Sequence, residues 1–190
     1  MKITDVKNGL IAKKYATALY EEAEEQHIVE KVYNDLIFIV ETFNSNSELK
    51  EFSISPIINK SDKQDVLGKL FSSHCEITSV DFIKMLVDCG RMNIINEILN
   101  QFVIIFDKKN NIAKPIITSA VELDDNQKET ILGKLSSKLS KTIKPEYVVN
   151  PDIIGGLIID IEDKTIDFSL KSKFDNMKKT LTKGNRYGNN

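Results

Sequence analysis

Near the amino terminus, the stretch Ala12-Lys13-Lys14-Tyr15-Ala16-Thr17-Ala18-Leu19-Tyr20 constrains the fold more than any other. With residues about 100° apart on a helix, Ile11, Ala12, Tyr15, Ala16, Ala18, Leu19, Tyr20 and Ala23 fill one apolar arc of roughly 200°. A surface helix needs about half that width to sit on its own core. Two solutions are open. Either the helix is central and its own domain buries it on both sides, or it meets its core along one stripe and something else along the next. Its alanines let a neighbouring backbone come close in both cases.

The helical pattern continues downstream. Ile28, Val32, Leu36, Ile39, Val40 and Phe43 recur at helical spacing, and the Asn/Ser run at 44–47 ends that helix. A short helical turn with Leu49 and Phe52 precedes Pro56. Ser61 with Gln64 reads as a capping box opening a fourth helix through Val66, Leu67, Leu70 and Phe71. Thr78 with Asp81 is a looser version of the same signal. It opens a fifth helix with Val80, Phe82, Ile83, Leu86 and Val87, for which Gly90 is the C-terminal stop. Ile94, Ile95, Ile98, Leu99, Phe102, Val103 and Phe106 make a sixth, closed by 107–111.

Beyond that linker the period changes. Residues 112–120 are rich in β-branched side chains and read as one strand, with Pro115 favouring an edge or early position. Asp124 with Gln127 caps a helix bearing Ile131, Leu132, Leu135 and Leu139; Tyr147-Val148-Val149 is a second strand. Leu157 to Ile161 and Thr165 to Phe168 pair as a hairpin turning at Asp163-Lys164. Leu170, Phe174, Met177 and Leu181 form a thin stripe on a terminal helix among lysines. The expected fold is α+β, mainly α: a six-helix bundle over 1–107 and a small strand-plus-helix domain over 108–190.

Charge supports that division. Residues 1–107 hold 11 Lys/Arg against 17 Asp/Glu, net −6, and residues 108–190 hold 15 against 11, net +4. Two domains with different partners fit this better than one footprint for nucleic acid. Composition reads as a soluble globular chain made in the cytoplasm: no apolar run is longer than the five residues Leu36 to Val40, far short of a membrane span, and Met1-Lys2-Ile3-Thr4-Asp5 lacks a signal-peptide core.

The search for chemistry comes back nearly empty. His27 and His74 are far apart, and Cys75 and Cys89 lack metal or disulfide spacing. Gly155-Gly156 belongs to no phosphate-binding loop. No catalytic residue, metal site or cofactor is expected, and Glu21, Glu22, Glu24 and Glu25 read as a solvated charge run. A small enzyme with Cys75 or Cys89 as nucleophile stays as an alternative, although Cys75 and its neighbour His74 cannot face one another. A helical RNA-binding bundle is a weaker one.

Two elements look like recognition surfaces. Met85 falls about 100° from the apolar face of the fifth helix, and methionine suits adaptable binding surfaces. If the first and fifth helices pack side by side, Ile11, Tyr15, Ala18 and Met85 floor a groove for an amphipathic partner helix; a slightly wider core is the other reading. The second element is the tail, where 171–190 hold six Lys/Arg against Asp175 alone, with Phe174, Met177 and Leu181 on one face. That suits an acidic amphipathic helix or an anionic lipid surface, or else a frayed terminus.

Five segments in order resemble one family. Residues 12–20 resemble the opening A-R-R-Y-A-x-A-L-F of the delta subunit of F-type ATP synthases, the oligomycin-sensitivity-conferring protein of mitochondria. Cys89-Gly90-Arg91-Met92 is similar to x-G-R-L, Ser119 to Leu123 to S-A-x-x-L, Asn150 to Gly156 to D-P-x-L-I-G-G, and Thr165 to Leu170 to I-D-x-S-L. The resemblance implies a non-catalytic stator subunit of a proton-translocating ATP synthase. Its bundle would receive an alpha subunit's N-terminal helix on Tyr15, Ala18, Asp81 and Met85, with Ile11 on the same flank. Its C-terminal domain would grip the peripheral-stalk b subunits, and the complex would sit on the cytoplasmic face of a bacterial plasma membrane. Departures are Lys13-Lys14 for the arginine pair, Asn150 for Asp, and Glu162-Asp163 for a Gly-Asp turn.

Overall fold

The computed structural model describes residues 3–161 and 164–184, with side chains from 8 to 180 within those ranges. It is mainly helical with a small sheet, an α+β chain, and it divides into two compact units, Met1–Asp107 and Lys108–Asn190.

The first unit carries α1 (Ile3–Glu25), α2 (Val29–Ser45), α3 (Ser47–Ile54), α4 (Lys60–Phe71), α5 (Ile77–Asp88), a 3-10 turn (Met92–Ile94) and α6 (Ile95–Lys109), whose last two residues pass the unit boundary into the stretch expected as linker. Its core takes Ala12, Ala16, Leu19, Tyr20 and Ala23 from α1, Leu36 and Ile39 from α2, Phe71 from α4, Leu86 from α5 and Phe102 from α6. Tyr20 lies against Phe102 at 5.5 Å between ring centroids, and Phe43 against Phe71 at 5.9 Å. The small residues of α1 are thus where its neighbours approach closely.

Two helices of this unit end in the same way. His27 (φ 58°) closes α1 while Ile28 N–H donates to Ala23 C=O at 2.9 Å and His27 N–H to Glu24 C=O at 3.2 Å. Gly90 (φ 63°) closes α5 while Arg91 N–H donates to Leu86 C=O at 2.8 Å and Gly90 N–H to Val87 C=O at 3.0 Å. Both are paired 6→1 and 5→2 bonds around a left-handed residue, the Schellman arrangement.

Helix starts depart from the sequence reading. The Ser61/Gln64 box does not form: α4 begins at Lys60, and Gln64 donates its amide to Lys84 C=O of α5 at 3.1 Å. The Thr78/Asp81 box does not form either: α5 begins at Ile77, and the Thr78 hydroxyl donates to Gln26 Oε1, just past the end of α1, at 2.9 Å. The acceptor for the start of α5 comes instead from α2. The buried Asp35 carboxylate accepts from Glu76 N–H at 2.8 Å and from the Ser79 hydroxyl at 2.6 Å. Tertiary partners outcompete the local cap in both places.

The second unit carries β1 (Ile112–Ala113), β2 (Ile116–Ser119), α7 (Asp125–Leu139), β3 (Thr142–Ile143), β4 (Glu146–Val149), a 3-10 turn (Pro151–Ile153), β5 (Leu157–Ile161), β6 (Lys164–Asp167) and α8 (Leu170–Gly184). Strand order is β4-β2-β5-β6, with β1 and β3 forming a separate parallel pair. The strand expected over 112–120 is broken at Pro115, which has no N–H for a ladder. β2 runs parallel to β4 and antiparallel to β5, with Ile117 opposite both Tyr147 and Ile159. Ile117, Ile159 and Leu135 of α7 form the small core. The Asp124/Gln127 capping box is present, with Gln127 N–H 2.8 Å from Asp124 Oδ1. The hairpin is β5 with β6, Ile161 opposite Lys164, and its turn at Glu162-Asp163 lies outside the described residues.

Gly155-Gly156 anchors the start of α8. Gly155 C=O accepts from Leu170 N–H at 2.9 Å. Gly156 sits at φ +82°, where an added Cβ would lie 2.3 Å from Phe168 O. Only glycine has both the dihedral and the clearance.

Candidate docking groove between α1 and α5

α1 and α5 lie side by side and antiparallel, as Thr78 meeting Gln26 at one end and Tyr15 meeting Phe82 further along require. Between them runs a groove of about 570 Å³. Each wall steps down it one helical turn at a time, about 5.4 Å per step. Gln26, bonded to Thr78, marks one end; Glu22 and Ala18 follow on the α1 side, Asp81 and Met85 on the α5 side, with Leu19 and Phe82 as the buried floor.

Ala18, Asp81 and Met85 line the groove together. Ala18 is exposed and Met85 is 39% exposed, so the apolar flank is not sealed by the chain's own side chains. Tyr15 sits just beyond the lining with its ring edge-on to Phe82, centroids 6.4 Å apart. A hydrogen bond with the Cys89 side chain, followed by burial, raises its phenol above the usual value. Ile11 is half-buried against the core and outside the lining. Glu22, Gln26, Ile77 and Thr78 are groove residues the sequence reading did not assign. Ile77, 78% exposed, and Glu22 lie one turn from Asp81 and Ala18, so the same helical arithmetic carried one turn further reaches them.

In the second unit, Phe174 and Met177 are 55% and 61% exposed on α8, and the Leu181 side chain lies outside the described residues. Asp167 organises the start of that helix, accepting from Ser169 N–H at 2.8 Å and from the Ser172 hydroxyl. Those bonds, Ser172 first, hold its carboxyl below the usual carboxylate range.

The thiols are poorly set for nucleophilic work. Burial, with Asp35 adding, pushes the Cys75 thiol up to about 11, which keeps it protonated at neutral pH. His74 packs edge-on against Phe38, 5.9 Å between ring centroids. Cys89 is exposed. Among the described residues no His/Cys/Asp/Glu group could hold a metal ion, and no helix is long and apolar enough to cross a membrane.

Comparison with known proteins gives one answer along most of the chain. The family model described as the ATP synthase delta (OSCP) subunit matches residues 11–181. ATP synthase subunit delta of Fusobacterium nucleatum is 34% identical over 170 residues, spanning 90% of this chain and 97% of that one. ATP synthase subunit delta of Bacillus mycoides is 31% identical over 177 residues, spanning 93% and 98%. A chain in the cryo-EM structure of the Toxoplasma gondii mitochondrial ATP synthase hexamer has the same fold, with a TM-score of 0.68 at 18% identity over 90% of this chain and 97% of that chain.

Proposed function

The chain belongs to the ATP synthase delta (OSCP) subunit family, and from that premise we propose how its two units divide the work of a stator. It is a coupling subunit and not an enzyme. In this reading residues 1–107 are a six-helix bundle that receives the N-terminal helix of an alpha subunit in the α1–α5 groove. Residues 108–190 hold the peripheral-stalk b subunits through the exposed face of α8, with Phe174, Met177 and Leu181 as contacts. Held at both ends, the catalytic head resists the torque of the rotor, and rotation stays coupled to ATP synthesis. The work is done at the cytoplasmic face of a bacterial plasma membrane, reached through the partners.

The observation that carries the first contact is the open apolar flank: Ala18, Ile77 and Met85 stay exposed beside a floor of Leu19 and Phe82. Exposed apolar side chains in a concave run fit an amphipathic helix laid along it. Calorimetric titration of the full chain with a peptide of the alpha N-terminus tests this. Ala18→Asp, which sets a charge in the groove wall without touching the core, is expected to weaken binding at least ten-fold, roughly 1.4 kcal/mol or more. Unchanged affinity would remove the groove assignment.

A further inference from the structure

The groove has a polar end that apolar docking leaves unused. Glu22 on α1 and Asp81 on α5 line it from opposite walls, one turn from Ala18 and Met85. A hydrogen-bond chain holds the first: Thr78 Oγ1 donates to Gln26 Oε1 at 2.9 Å, and Gln26 Nε2 donates to Glu22 Oε1 at 2.5 Å. On the other wall, Lys84 Nζ lies 3.2 Å from Asp81 Oδ1. A helix lying along the groove strips water from both carboxylates; Lys84 stands beside Asp81, and Glu22 has the neutral Gln26 amide.

We propose that the groove selects a basic amphipathic helix, one that carries Lys or Arg a single turn from the apolar side chain seated between Ala18 and Met85. The inference rests on the groove reading above and adds to it the chemistry and direction of the guest. A guest cation meets a carboxylate on each wall. A neutral or acidic side chain there leaves the Glu22 charge desolvated against a neutral amide, with Asp81 held by Lys84, so the polar step rejects wrong helices as well as attracting the right one. Because the polar step lies on the Gln26/Thr78 side of Met85, only one of the two antiparallel orientations of a given helix presents its cation there. The acidic balance of residues 1–107, net −6, favours the same partner at longer range.

The test uses the full chain and two synthetic peptides. One has the N-terminal sequence of the alpha subunit from the same organism; the other has the Lys and Arg of its helical segment replaced by Gln. Calorimetry at about 50 mM NaCl is expected to show the Gln peptide roughly ten-fold weaker, with the gap closing at about 500 mM. The double variant Glu22→Gln/Asp81→Asn, with unchanged circular dichroism, is expected to bind the two peptides equally. Equal affinity of both peptides for the wild-type chain at low salt, or a gap that persists in the double variant, overturns the inference and leaves the groove reading standing. A parent peptide that does not bind the wild-type chain at all removes both.

Discussion

Replacing Asp35 by Ala tests how the groove is held open. Asp35 is 8% exposed, and its Oδ2 accepts from Glu76 N–H at 2.8 Å and Ser79 Oγ at 2.6 Å. From α2 it therefore takes the N–H of the residue that opens α5 and a hydroxyl of that helix's first turn. Hydrogen bonds to a charged acceptor contribute about 1.5–3 kcal/mol each, and stranding a buried donor costs about 1–3 kcal/mol. Ser79 is fully buried, so its hydroxyl cannot turn to water. The two bonds together put the loss for Asp35→Ala at about 3 kcal/mol, which is large against the typical point substitution of about 1 kcal/mol. Asp35→Asn keeps an acceptor oxygen without the charge and is expected to lose about half as much. Urea unfolding followed by circular dichroism reads the totals, and a double-mutant cycle with Ser79→Ala isolates one bond, with an expected coupling of about 1–2 kcal/mol. Hydrogen exchange adds the location: amides of Glu76 to Asp81 should open first in Asp35→Ala, while those of α6 keep their protection. A loss under about 0.5 kcal/mol, or a coupling near zero, would refute the reasoning that α5 is capped across the bundle.

Gly156→Ala is expected to cost about 2–4 kcal/mol in the second unit, because its Cβ meets Phe168 O at 2.3 Å and φ is +82°; exchange should rise at α8 and stay unchanged in α1–α6. The Asp167 carboxyl titrates below its unfolded value, so its support for α8 is fully present above about pH 4 and is lost as pH falls through the lower folded pKa. Amide shifts of Ser169 and Ser172 followed by NMR over that window report it, and Asp167→Asn should abolish the transition. Phe174→Asp with Met177→Asp is expected to weaken capture of b subunits from solubilised membranes at least ten-fold while leaving the affinity for the alpha peptide unchanged.

Where structure follows from neighbours in sequence, the sequence already shows it. The over-wide arc on α1, the Asp124/Gln127 box and the Gly90 stop are local rules, and all three hold in the structure. What it conceals is settled between elements. The starts of α4 and α5 give up their local boxes because Gln64 and Thr78 find partners on α5 and in the turn after α1, and Asp35 reaches the residue that opens α5 from 41 positions away. The short β3 pairs only with β1, so no pattern of its own announces it. On the groove, the apolar residues stand out by helical phase, whereas Glu22 reads as part of a solvated charge run and Gln26 carries no signal until α5 is placed beside them.

This subunit transmits force through docking and performs no chemistry. The direct measurement is the coupling ratio of ATP synthase reassembled in vesicles with the Ala18→Asp chain: ATP hydrolysis in parallel with ATP-driven proton uptake. Retained hydrolysis with proton uptake reduced several-fold is the predicted result. Proton uptake at the wild-type level, with the variant chain bound as in wild type, would contradict it.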